Sequence, residues 1–281
     1  MSAIGACGIV ALAFALMVAW LHLVAAIVTV VQVRPWQSVT TDPLYVGMAT
    51  ALGLGGALWV GKAWYDPNAP WRKLLALRAA SPGVLALSVL FGIAFQIPLS
   101  ELQNFSESLF PIDPAQKEAF YRLLAPSGWR QVLSTTAALV AIAPIFEEFL
   151  FRGLILQALR KSRGTAQALA VSSVLFGLCH VRILAALFPA CAAGLIFGAI
   201  ALRTRSTLPA IVSHAAINAA PLLLSERLLA VPGFNVAGKL EEHVALPFLL
   251  ATLAIAAVAL IAMMYLGGHR PATDETNRPA T

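Results

Sequence analysis

From Ile4 to Val33 the chain runs thirty residues without one Asp, Glu, Lys or Arg. A helix needs about 20 mostly apolar residues to cross about 30 Å of bilayer hydrocarbon. The run is too long for a signal-peptide core and has no basic segment ahead of it, so it predicts an uncleaved membrane helix. Seven further apolar runs follow: Leu44–Val60, Val84–Leu99, Val132–Phe151, Thr165–Cys179, Ile183–Leu202, Leu208–Leu224 and Ala245–Leu266. Only 11% of residues are charged and mean hydropathy is +0.82, where a soluble domain carries about 25% charged residues. These features exclude a disordered chain, a disulfide scaffold and an ordinary cytosolic enzyme. The predicted fold class is all-α, a polytopic membrane helix bundle of about eight transmembrane helices.

The loops 61–83, 100–130 and 225–244 separate some of these spans, and the polar stretch after Leu266 (GGHRPATDETNRPAT) predicts a solvated tail. With eight spans both termini share one side. Twelve of the nineteen Lys and Arg fall on that side, including Lys62, Arg72, Lys73, Arg160, Lys161 and Arg163. The positive-inside rule then predicts cytoplasmic termini. Trp64, Tyr65 and Trp71 read as an interfacial belt, with Trp71–Leu77 lying along the headgroups. No dense Lys/Arg run with interleaved aromatics accompanies the net charge of +6, so the expected partner is the lipid bilayer and not nucleic acid. Cys7, Cys179 and Cys191 all lie in apolar runs, an odd number that predicts no disulfide framework. Gly194 and Gly198 have the small-xxx-small spacing that lets helices pack closely.

Ionisable groups inside apolar spans are costly and point to function. Glu147 and Glu148 close the fourth run, and Arg152 follows Glu148 by four residues, on the same helix face, where an ion pair can form. Glu147 is rotated from Glu148 by about 100°, so it can face a cavity as a general base while Glu148 is held. Phe176 and His180 end the fifth run, and His214 and Asn218 share one face of the seventh. Taken singly, these groups also fit membrane-edge pairing or an interhelical polar clasp. Counted from the nearest basic boundary, however, all lie within about 14–26 Å along their helices and can share one layer.

The ordered set EExxxR, FxxxH and HxxxN on successive membrane helices resembles the CPBP intramembrane proteases. This is the type II CAAX prenyl endopeptidase group, which also includes Abi and lysostaphin-resistance-type domains. The resemblance covers residues 131–224, about a third of the chain. It divides the chain into N-terminal helices (1–130), a catalytic helix core (131–224), a loop with the last helix (225–266) and the polar tail (267–281). The resemblance implies hydrolysis of a peptide bond in a membrane-associated protein or peptide. By motif position, Glu147 and His180 would activate water, and His214 and Asn218 would stabilise the oxyanion. Glu148 and Arg152 would support the first motif, and Phe176 would shape the wall. Both metal-dependent and glutamate-dependent mechanisms are ascribed to the family. Glu147, His180 and His214 would be the ligands if zinc were bound, as in a His₂Glu set. No HExxH is present and Asn218 is a better amide donor than zinc ligand, so no cofactor is the favoured expectation.

Other nucleophiles fit less well: Ser213–His214 and Cys179–His180 are sequence neighbours and diverge on a helix, and there is no GxSxG. The rival reading is a transporter or immunity-type binding protein with a Glu/His relay, which would favour paired repeats with interrupted helices; the sequence shows no such repeat. The alanine-rich composition and the family's distribution imply a bacterial inner membrane as the location.

Overall fold

The computed structural model describes residues 1–118, 128–180, 183–226, 228–236 and 242–268. Helices occupy all eight predicted spans: α1 (Ala3–Gln32), α2 (Pro43–Tyr65), α3 (Pro82–Leu109), α4 (129–163), α5 (Thr165–Leu178), α6 (Leu187–Thr204), α7 (Leu208–Leu223) and α8 (Leu246–Gly268). No strand occurs among the described residues, so the fold is an all-α helix bundle. Five helices (α1, α2, α3, α6 with the 3₁₀ turn Leu184–Ala186 ahead of it, and α8) are long and apolar enough to cross a membrane. The two shorter apolar helices, α5 and α7, have 14 and 16 residues. They extend about 21 and 24 Å at 1.5 Å per residue. The predicted polar tail lies outside the described residues from 269 onward.

Two predicted boundaries move. The loop expected to begin at residue 100 is helical to Leu109, because α3 continues through Pro98 into a polar end. That end is tied to the segment before α8: Asn104 Nδ2 donates to the Gly233 carbonyl at 2.7 Å, and the Val244 N–H donates to Glu101 Oε2 at 2.8 Å. The segment expected to lie along the headgroups also docks on the bundle. It forms a short helix, Trp71–Leu74, and buries Leu74 and Leu75 against α4.

The buried residues divide into two main cores. One joins α1, α2, the 71–75 segment, the second half of α4 and α5, with Ile9, Leu150, Phe151, Leu154 and Phe176 among its members. The other joins α3, α6, α7 and α8 through Phe91, Phe197, Ile200, Ile217 and Met263. The outward faces of α1 and α8 stay apolar and exposed, as at Val30, Val31, Val258 and Ile261. Contiguous exposed apolar surface of this kind is a face for lipid.

α4 is a single helix with two π-helical stretches, Ala137–Ile142 and Phe149–Ile155. Such insertions widen the backbone register to i→i+5 and gather at functional sites. The first has a cause in the sequence. The Ala143 N–H bonds the Ala138 carbonyl, and Pro144, next in line, has no N–H to give. The Leu139 carbonyl is thereby left for a partner outside the helix.

α3 passes behind α7 at Gly92, where a Cβ would stand 2.5 Å from the Ser213 carbonyl and 2.6 Å from Ala216 Cβ. Gly92→Ala is therefore expected to destabilise the protein by about 1–3 kcal/mol in thermal unfolding, although alanine is the better helix former by about 1 kcal/mol. Gly83→Ala, in open space on the same helix, should be neutral or stabilising. Equal melting of the two variants would show that α3 and α7 do not approach this closely.

Candidate active site

Arg152 is the largest side chain buried outright, at 1% exposure, and the Glu148 beside it is at 0%. Arg152 Nη1 lies 3.1 Å from Glu148 Oε1, so the i,i+4 pair predicted from sequence is present. Nη2 donates to the Gly194 carbonyl on α6 at 3.1 Å. Three aromatic faces enclose the guanidinium, with Cζ 4.4 Å from the ring centre of Phe176, 5.4 Å from Phe197 and 5.8 Å from Phe151. Cations over ring faces gain about 2 kcal/mol or more when desolvated. The pairing is incomplete: Arg152 Nε and Nη1 and Glu148 Oε2 are buried without a protein hydrogen bond. An arrangement this costly is weak evidence for stability and suits a positioning role.

What it positions is His214. Glu148 Oε1 also lies 2.9 Å from His214 Nδ1, so a carboxylate held by Arg152 receives the Nδ1–H and fixes the ring tautomer. Phe197 stacks on the imidazole at 4.9 Å and 21°, and Phe176 meets it edge-on at 5.9 Å. The other ring nitrogen, Nε2, points toward Glu147, whose Oε2 is 4.0 Å away. Glu147 is the less buried of the two glutamates, at 21% side-chain exposure. The two acids thus lie on opposite sides of one imidazole, Glu148 buried and Glu147 reachable.

His180 stands one ring away. Its Nδ1 donates to the Phe176 carbonyl at 3.0 Å and its imidazole contacts the Phe176 ring at 5.1 Å. The structure sets His214 against Glu147. Asn218 Nδ2 donates to the Leu139 carbonyl at 2.8 Å, filling the position left by the first π stretch. All seven residues singled out from the sequence therefore fall on α4, α5 and α7 or just beyond their ends, and Phe176 touches both histidines and Arg152.

Sequence reasoning missed three contributors. Phe197 was hidden as one apolar residue in an apolar helix. The Gly194 carbonyl belonged to a glycine read only as a packing site. That packing is also present, since a Cβ on Gly194 would meet Ser173 Cα at 3.0 Å. The third, Leu139, acts through its backbone; its only signal was Pro144, five residues on.

Residues 128–220 match the family model described as type II CAAX prenyl endopeptidase Rce1-like. This segment, a third of the chain, is similar to the Rce1-like family. It begins at the N-cap of α4 and ends in α7, so it contains every residue of the cluster above. The family supports a CAAX-type intramembrane protease in general terms, a hydrolase with a peptide or protein substrate. Comparison with curated proteins and with solved structures gives no match.

A resident metal would need donors converging on one point. In the Rce1-like segment the candidate donors instead run in a line, with Glu148 on Nδ1 of His214 and Glu147 toward Nε2, while His180 faces Phe176. Among the described residues no three His, Cys, Asp or Glu side chains come together as a metal site. The residues in this arrangement do not fit a three-ligand zinc set.

Arg152→Ala should be chiefly destabilising, by about 3–5 kcal/mol, because it strips the counter-charge from a fully buried carboxylate. Thermal unfolding in detergent measures this. Melting equal to the wild type would show that the pair carries no such burden.

Proposed function

We propose that the protein hydrolyses a peptide bond of a membrane-associated protein or peptide by glutamate-dependent catalysis. The observation that carries this reading is the chain of contacts Arg152–Glu148–His214, ending 4.0 Å from Glu147. That separation is too long for a direct hydrogen bond and short enough for one water oxygen to sit within bonding distance of both groups. Glu147 Oε2 takes a proton from that water as its oxygen attacks the scissile carbonyl carbon. His214 Nε2, bare while Nδ1–H is committed to Glu148, accepts the water's second hydrogen and orients the attack. The proton on Glu147 then passes to the leaving nitrogen as the carbon–nitrogen bond breaks.

Asn218 supplies the oxyanion donor. An amide nitrogen carries two hydrogens, so the bond to Leu139 fixes the side chain and leaves one N–H for the tetrahedral intermediate. His180, whose Nδ1–H is likewise committed to the Phe176 carbonyl, stands behind Phe176 as a further proton acceptor through Nε2. Burial of Glu148 and Arg152 keeps this machinery rigid, and the apolar exterior fits a multi-pass protein. The excess of Lys and Arg on the side of both termini favours cytoplasmic ends.

The test is peptide cleavage by purified protein in detergent. Glu147→Gln should fold and lose about 10²–10⁴-fold in rate, and a chelator should leave the wild type unchanged. Activity within tenfold of wild type in Glu147→Gln would remove Glu147 from the reaction. Asn218→Ala should lower kcat by about 10²–10³-fold with KM nearly constant. Restoration of that variant by added zinc would replace the glutamate mechanism with a metal-dependent one.

A further inference from the structure

A second constellation lies at the other end of α4 from Arg130, where α2, α4 and α6 end. A cavity of about 530 Å³ is lined there by Arg72, Lys73, Arg78, Arg160, Lys161 and Arg205, with Asp66 the one acid in its wall among the described residues. None of Glu147, His180, His214 or Asn218 lines it. We propose that this cavity binds a phosphate-bearing anion, supplied by the headgroup of an anionic phospholipid or by free phosphate.

Charge gives the first argument. Among the described residues, six cations from three separate stretches of chain line one concave surface beside a single acid, a positive potential that attracts an anion. Four are arginines, whose planar forks suit phosphate oxygens. The volume is that of a ligand site, in the range of about 300–1,000 Å³, and exceeds the need of a lone surface ion pair.

The wall is also built and held. Ala76 and Arg205, which both line the cavity, have φ of 49° and 54°, a left-handed conformation that is strained for a residue with a Cβ. Hydrogen bonds across the 71–78 segment and the α6–α7 turn hold them there. The Thr207 N–H bonds the Ala76 carbonyl at 3.1 Å, Thr207 Oγ1 donates to the Leu75 carbonyl at 2.6 Å, and Ser206 Oγ donates to the Arg78 carbonyl at 2.7 Å. These bonds bring cations from two distant stretches together.

The surroundings match a membrane interface. Trp64, 73% exposed, and Trp71, 40% exposed, adjoin the lining residues Tyr65 and Arg72 in the chain. Lys161 lies 5.5 Å from the Tyr65 ring, and the nearby Lys62 lies 5.5 Å from the Trp71 ring. Aromatics with basic side chains mark the headgroup level, and basic pockets between helices on the cytoplasmic side take lipid headgroups.

The test uses the whole protein in neutral detergent, with bound lipid counted by native mass spectrometry. Phosphatidylglycerol should bind saturably at one per chain, and phosphatidylcholine should not. Arg160→Gln/Lys161→Gln should weaken binding by about fivefold per cation and so about 25-fold, while Arg130→Gln, at the far end of α4, should change it less than twofold. Melting without lipid checks that each variant folds, and Arg72→Gln/Lys73→Gln repeats the test from a different stretch of chain. Competition by inorganic phosphate, lost in these variants, would show that the phosphate group itself is recognised. Saturable phosphate binding without lipid binding would assign the site to the free ion. Unsaturable uptake, equal binding of phosphatidylcholine, or variants that bind like the wild type would overturn the proposal.

Discussion

Burial of the Arg152 guanidinium is the constraint around which the middle of the molecule is organised. Removing an ion from water costs several kcal/mol even after relaxation, so the surrounding helices must supply an answer. α4 supplies Glu148, α6 supplies the Gly194 carbonyl, and the rings of Phe151, Phe176 and Phe197 come from α4, α5 and α6. Because Glu148 shares its Oε1 with His214, α7 is tied to the same point. Phe151 and Phe176 belong to one apolar core and Phe197 to the other, so the cation also marks the seam between the two cores. The Rce1-like segment, 128–220, spans the four helices that meet there.

The backbone of α4 makes the meeting possible. The π stretches flank Ala143–Glu148, the short α-helical piece that carries both glutamates. The first leaves the Leu139 carbonyl for Asn218, which links α4 and α7 a second time. In the second, Ser172 on α5 donates to the Phe151 carbonyl, and Gly153 admits Leu75, whose Cα would be 3.0 Å from a Cβ there. Irregular helix is tolerated at this depth because partners from other helices satisfy the freed groups. The remaining helices clad this centre, with α3 backing α7 at Gly92.

Much of this was legible in the sequence for one physical reason: a membrane chain cannot hide a charge in an apolar run without a purpose. Glu147, Glu148, Arg152, His180, His214 and Asn218 stood out against their neighbours, and the four-residue spacing of Glu148 and Arg152 predicted their pairing. The partner of His214 was not legible, since hydropathy does not encode which helix faces which. Motif position paired Glu147 with His180 and His214 with Asn218, and gave no hint that His214 lies between Glu148 and Glu147. The end of α3 was missed because apolar runs report hydrocarbon thickness, while the helix goes on to Leu109 with Glu101 and Asn104 bonding a neighbouring segment. The π stretches went unread because hydropathy does not report helical register, and the one signal for the first, Pro144, lies just beyond it.

The central claim is that Glu148, held by Arg152, fixes the orientation of His214. Nitrogen-15 NMR of histidine-labelled protein, with His214→Gln used to assign its signal, reads the tautomer directly. The account predicts a proton on Nδ1 of His214, lost as the dominant state in Glu148→Ala. A bare Nδ1 with the proton on Nε2 in the wild type would contradict it.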